Sequence, residues 1–205
     1  MILDLNFIIL GTFIIICLIP LYIYKNSIVN FIYKNNDFKT FIHNLKVYTK
    51  NNYPKIRFEF KQIIEDTKDE KNPQTRSILI IENLVWQFIN YKYISKTKKS
   101  ISNDLLWSTY LENCKPIKDK LPTDWSKRKE LTWQRDKHIC QRCGYKLKLN
   151  DAKVVLLKAV SNGGQYNFEN LETLCNDCNK ILKSTDLSKT YKSLNILDNL
   201  MTKVK

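Results

Sequence analysis

Four cysteines in two pairs, Cys140-Gln-Arg-Cys143 and Cys175-Asn-Asp-Cys178, carry the clearest chemistry of this chain. Each pair leaves two residues between its thiols, and residues 144–174 separate the pairs. That spacing suits one tetrahedral zinc ion gripped by four thiolates, two from each of two tight turns. Zinc thiolates belong to a reducing compartment, where disulfides are rare. Of the other cysteines, Cys17 lies in an apolar run and Cys114 stands alone. His138, just ahead of the first pair, is the weak candidate for acid–base work in this region. Lys146, Lys148, Lys153, Lys158, Lys180 and Lys183 surround the cysteines and offer a surface for phosphate contact. Asp151 and Asp177 read as ordinary turn residues.

Positioning these groups calls for a short ordered unit. Asp124 is placed to cap a helix running through Arg135, with Leu131 and Trp133 turned inward. Gly144 permits the sharp turn of the first knuckle. Lys153–Val160 reads as a strand, Asn162-Gly163-Gly164 as a turn, and a helix is expected from Asn179.

In these residues the chain resembles the HNH endonuclease family. The two Cys-x-x-Cys knuckles, Gly163-Gly164, Glu169-Asn170-Leu171 and Asn179 fall at the family's spacing with no insertion or deletion. The resemblance runs from about residue 125 to about residue 185 and leaves the N-terminal half untouched. It implies a ββα fold around a structural zinc, with nucleic acid, DNA first, as the partner. It also implies an Asp-His dipeptide followed by a proline. In the family that histidine takes a proton from water, and the aspartate and final Asn/His hold a divalent ion that stabilises charge on the phosphate.

This chain departs from the pattern at the reacting groups. Val155 and Leu156 stand at the Asp-His positions and Ala159 at the proline. Valine and leucine have no lone pair for a cation or a proton. Asn170, which the resemblance makes a brace for the histidine's loop, and Asn179, which would touch the metal, remain. One neutral amide oxygen is a poor magnesium site, so a catalytic divalent ion is doubtful. General-base help is worth roughly 10²–10⁴ in rate and a metal adds several kcal/mol, so losing both leaves cleavage near background. Val154–Leu157 reads as a strand refilled as core and buried on both faces. Leu156 then needs a cover, from a neighbouring segment, a partner protein or the upstream region. The reading is therefore an HNH-like zinc protein that binds nucleic acid with cleavage lost or strongly reduced. An active endonuclease with a displaced base and a zinc-organised protein adaptor are the alternatives.

The rest of the chain says less about chemistry. Among its 205 residues the net charge is +14, which permits contact with phosphate-rich partners or an anionic membrane surface. Residues 5–24 contain no charged side chain and are long enough to cross a lipid bilayer as a helix. Asp4 precedes that run and Lys25, Lys34 and Lys39 follow it, so the positive-inside rule puts the C-terminal bulk in the cytoplasm of an inner-membrane protein. Residues 38–48 and 78–91 show helical periodicity, with a polar loop at 67–73 and a short helix expected over Asn103–Glu112. The expected architecture is mostly α with a small α+β module. A transmembrane anchor (1–25) leads to a helical cytoplasmic region (26–121), the HNH-like zinc module (122–185) and a helical tail (186–205).

Overall fold

The computed structural model describes residues 5–116 and 120–204; within 5–36 most side chains lie outside the description, Cys17 among them. The chain is mostly helical with one two-stranded antiparallel sheet. Contacts divide it into two units, Met1–Asn44 and Leu45–Lys205. The boundaries expected at 25/26, 121/122 and 185/186 do not coincide with this division.

The first unit carries helix α1, whose full span is Leu5–Asn52. Pro20 lies inside it. The described side chains of the apolar run, Phe13, Ile16, Leu18, Ile19, Tyr22 and Tyr24, are exposed. Among the described residues no helix is long and apolar enough to cross a membrane. The expected membrane span, residues 5–24, lies largely outside the residues whose side chains are described.

The second unit is built on α3 (Pro73–Asn90). Asn72 caps it, its side-chain oxygen accepting from the Gln74 and Thr75 N–H groups, and Pro73 occupies the first position, where no N–H is needed. Ile80, Ile81, Leu84, Val85, Phe88 and Ile89 give it a buried stripe of helical period. Against it pack α2 (Phe60–Asp66), α6 (Leu187–Tyr191) and α7 (Asn195–Met201), the last through fully buried Ile196 and Leu200. Residues 56–59 form no strand, and the segment ahead of α2 stays irregular.

The helix expected over Asn103–Glu112 does not form. Two 3-10 turns stand there, Asn103–Leu105 and Glu112–Cys114. Ser102 spends its hydroxyl on Asp104, the kind of local polar bond that competes with a helix. The Trp107 indole is meanwhile drawn to Asp124, 2.9 Å away.

Helix α4 spans Trp125–Arg135, as expected, but Asp124 does not cap it through its side chain. Strands β1 (Lys153–Leu156) and β2 (Leu171–Leu174) pair Val154 with Thr173, Val155 with Glu172 and Leu156 with Leu171. β1 is shorter than expected. It ends because Leu157 and Lys158 turn their N–H groups to the Asn170 carbonyl (2.8 Å) and side-chain oxygen (2.7 Å). Its apolar run is half-buried rather than buried on both faces, since an edge of a two-stranded sheet cannot be covered on every side. Helix α5 (Asn176–Lys183) starts three residues earlier than expected, capped by Cys175.

Candidate functional site

Two turns bring the cysteines together. The first is closed by the Gly144 N–H on the Cys140 carbonyl at 2.9 Å. Gly144 has φ of 85°, and a Cβ there would lie 2.8 Å from Pro54 Cγ, so both conformation and space demand glycine. The second turn is the start of α5, where Cys178 N–H points at Cys175 Sγ from 3.4 Å. All four sulfurs lie within 4.8 Å of one another and all four residues are buried.

The fit to zinc is geometric. Sulfurs about 2.3 Å from a tetrahedral ion stand about 3.8 Å apart. Cys143 and Cys175 Sγ are 3.8 Å apart. Burial opposes charge on Cys140, but the thiols of Cys143, Cys175 and Cys178 outweigh it and draw its pKa down. The same crowding around Cys140 pushes Cys143 and Cys175 up, and burial pushes Cys178 up. One thiolate is all that such a cluster tolerates by itself; four require a cation in their midst. The cysteines therefore suit a structural zinc.

Arg142, between the first two ligands in sequence, is 1% exposed. One guanidinium nitrogen lies 3.5 Å from Cys178 Sγ. Another donates to the carbonyls of Phe88 (2.8 Å), Ile89 (3.0 Å) and Tyr91 (3.1 Å), which end α3. A positive charge is thus set both against the anionic thiolates and at the negative end of a helix.

The sheet places Val155 and Leu156, which stand where the HNH resemblance expects Asp and His. Opposite residues of a pair share a face. One face carries Val154, Leu156, Leu171 and Thr173; the other carries Val155 and Glu172. On the first face, Leu156 and Val154 pack against a cluster of Tyr110, Cys114, Phe168 and Leu171, joined by Leu106 and Trp107. The Tyr110 and Phe168 rings stack 5.2 Å apart at 10°. The chain itself, through residues 101–114 and α4, thus supplies part of the cover expected for Leu156, which is half-buried.

A buried ion pair bolts that segment down. Arg128 reaches Asp124 through Nε (2.7 Å) and Nη2 (2.9 Å). It also donates to the Tyr110 carbonyl at 2.8 Å and the Tyr166 carbonyl at 2.6 Å. Asp124 accepts further bonds from Trp107 Nε1 and Asn113 Nδ2. Cover, helix and the loop after β1 thus meet at one side chain. Tyr166, in the loop after β1, is buried edge-on against Trp125 and so has no free ring face to offer a base.

On the opposite face, Glu172 is 2% exposed and accepts from Tyr93 Oη (2.8 Å) and Ser95 Oγ (3.2 Å), with Lys98 Nζ at 3.4 Å. This carboxylate directly faces Val155, but its lone pairs are taken up by the 91–100 segment. Burial and the bond to Glu172 push the Tyr93 hydroxyl up, which keeps it a donor.

The Asn170 amide donates to the carbonyls of Lys158 (3.0 Å) and Gln165 (2.7 Å), tying both ends of the 158–165 loop. Asn179 Oδ1 is shut from solvent with no hydrogen-bond donor. His138 is exposed, at φ of 62°, with its ring 3.9 Å from that of Trp133. Among the described residues no hydrogen bond or ring contact joins it to Leu156, Asn170 or Asn179. Lys146, Lys148, Lys153, Lys158 and Lys183 are exposed, whereas Lys180 is held by the Ser193 carbonyl at 2.5 Å. Asp177 is buried and accepts the Asn195 and Ile196 N–H groups, so it caps α7.

Arg128, Arg142 and Glu172 escape sequence reasoning because their partners lie tens of residues away. The one local signal was Asp124–Arg128 at i, i+4 spacing on a helix start. Comparison with known families identifies residues 140–185 as matching the HNH endonuclease family. No curated protein and no solved structure matches the chain.

Proposed function

We propose that this chain is a membrane-tethered, HNH-endonuclease-like zinc protein that binds nucleic acid, DNA first, and does not cut it. The observation that carries the loss of cleavage is Leu156. At the position of the family's proton acceptor, an aliphatic side chain is packed against Tyr110, Phe168 and Leu171. Leucine has no lone pair with which to take a proton from water there. Val155, at the metal-binding aspartate position, offers no ligand, and the one carboxylate facing it is engaged elsewhere.

Zinc supplies rigidity: Cys140, Cys143, Cys175 and Cys178 hold it and fix β2 and α5 to the first knuckle. Exposed Lys146, Lys148, Lys153, Lys158 and Lys183 supply phosphate contacts. Membrane tethering rests on residues 5–24, which lack charge and whose described side chains are exposed and apolar. Twenty such residues in a helix span about 30 Å, the thickness of a bilayer's hydrocarbon core. The lysines that follow support a cytoplasmic location for the remainder, where thiols stay reduced.

A salt titration of DNA binding tests the reading. Each phosphate contact contributes a slope of about −0.9 to log K against log salt. A slope of −3 or steeper is expected from these lysines. Salt-independent or absent binding would favour the protein adaptor. Alkaline carbonate extraction of the full chain should leave it in the membrane pellet; release into the supernatant contradicts the tether.

A further inference from the structure

A cleft of about 390 Å³ lies beside the zinc centre, between the first knuckle and the starts of α5 and α7. Cys175 is its one link to the metal centre, and nothing in the HNH resemblance assigns it a role. Resting on the nucleic-acid reading above and deepening it, we propose that this cleft receives one unpaired nucleobase bearing an exocyclic amine, presented by single-stranded nucleic acid.

Three observations carry this. The first is the wall. Tyr145 lines the cleft with its ring stacked on Tyr53 at 5.7 Å and 25°, beside Leu147. Tyr53 is buried, so the pair forms a fixed apolar and aromatic surface of the kind against which a base packs.

The second is the set of idle polar groups. Asn150, Asn176 and Asn195 line the cleft, and among the described residues none of their amide side chains has a hydrogen-bond partner. The Asp151 carboxylate and the Lys153 ammonium are likewise unpaired there. Amides both donate and accept, and so match the mixed edge of a base.

The third is charge. The cleft holds one free charge of each sign, the exposed Asp151 carboxylate and the Lys153 ammonium, since Asp177 is committed to the Asn195 and Ile196 N–H groups and Cys175 to the zinc set. With no net positive charge the cleft does not draw in a phosphate, and the Asp151 carboxylate favours a group donating hydrogen bonds. Cytosine, adenine and guanine offer an exocyclic amine to Asp151; thymine and uracil offer only an N3–H flanked by two carbonyl oxygens that repel the carboxylate. The phosphates stay outside, on Lys146 and Lys148, exposed chain neighbours of the lining residues. In a duplex the Watson–Crick edge is already used, so the base must be unpaired.

The experiment compares (dC)12 with (dT)12 by fluorescence anisotropy on the zinc-loaded full chain, with free cytidine and uridine as a second arm. The expected result is at least a tenfold preference for (dC)12. It should fall to within twofold in D151N and in N176A, while (dT)12 affinity stays the same. Zinc content and melting temperature are read on each variant, and N195A, on a different helix, serves if either fails to fold. Equal affinity for the two oligonucleotides, or a preference untouched by these variants, overturns the base site while leaving nucleic-acid binding intact. Binding of cytidine over uridine without oligonucleotide binding supports the base site and removes the nucleic-acid reading. No binding in either arm removes both.

Discussion

Arg142 reaches to within 3.5 Å of the Cys178 sulfur while its other nitrogen serves the last carbonyls of α3. The metal centre and the longest buried helix of the Leu45–Lys205 unit are thus joined through one side chain. Removing it strands buried carbonyls and takes away the cationic side chain beside the Cys178 sulfur. R142A should lower stability by about 3 kcal/mol, and R142K, which keeps the charge but loses the fork, by less. Urea unfolding monitored by circular dichroism reads both; an unaffected midpoint in R142A contradicts the coupling.

Zinc removal should therefore reach beyond the knuckles. One zinc per chain is expected by elemental analysis, and none in C140S. In C140S, or after chelation, amide exchange should accelerate not only near Cys143 and Cys178 but also in the last turn of α3. Metal binding supplies much of the folding energy of a small zinc unit. Unchanged protection of Phe88 and Ile89 after metal loss would show that Arg142 transmits nothing.

The Asp124–Arg128 pair makes acid stability a measurable quantity. Burial raises the Asp124 pKa, but Arg128 outweighs it, with Trp107 and Asn113 adding hydrogen bonds, so the carboxyl titrates below its ordinary range. A group whose folded pKa lies below its unfolded value of about 3.9 stabilises the fold fully above that pH. That contribution is lost as pH falls through the folded pKa. D124N should destabilise the protein at neutral pH by about 3 kcal/mol. It should also flatten the decline of stability below about pH 4. Glu169, whose pKa is also held down, leaves a residual slope. A D124N profile parallel to wild type would contradict the assignment.

Restoring the family residues should not restore cleavage. L156H buries an imidazole among Tyr110, Phe168 and Leu171 with no designed partner, at a cost of about 1–3 kcal/mol. V155D/L156H should melt earlier than wild type and leave supercoiled plasmid intact in magnesium or manganese. Nicking by the double variant would mean that residues 101–114 do not block the cleft.

The zinc ligands, α3, α4 and the ββα order were legible because they rest on local signals: pair spacing, helical periodicity and a glycine turn. The substitutions at Val155 and Leu156 were legible because the surrounding motif fixed their positions. What covers Leu156 was not, since Tyr110 and Trp107 lie about forty-five residues upstream in a segment read as a helix. Its actual path follows from tertiary bonds to Asp124 and Arg128, which propensity does not register. The cleft at Tyr145 was invisible for the same reason, its walls coming from four separate parts of the chain.

Plasmid cleavage by the purified, zinc-loaded full chain tests the central claim most directly. Over hours in magnesium, manganese or nickel, nicked product should stay at the level of buffer alone while the same preparation retards DNA on a gel. Nicking that co-elutes with the protein and disappears in H138A would show a working endonuclease with a displaced base.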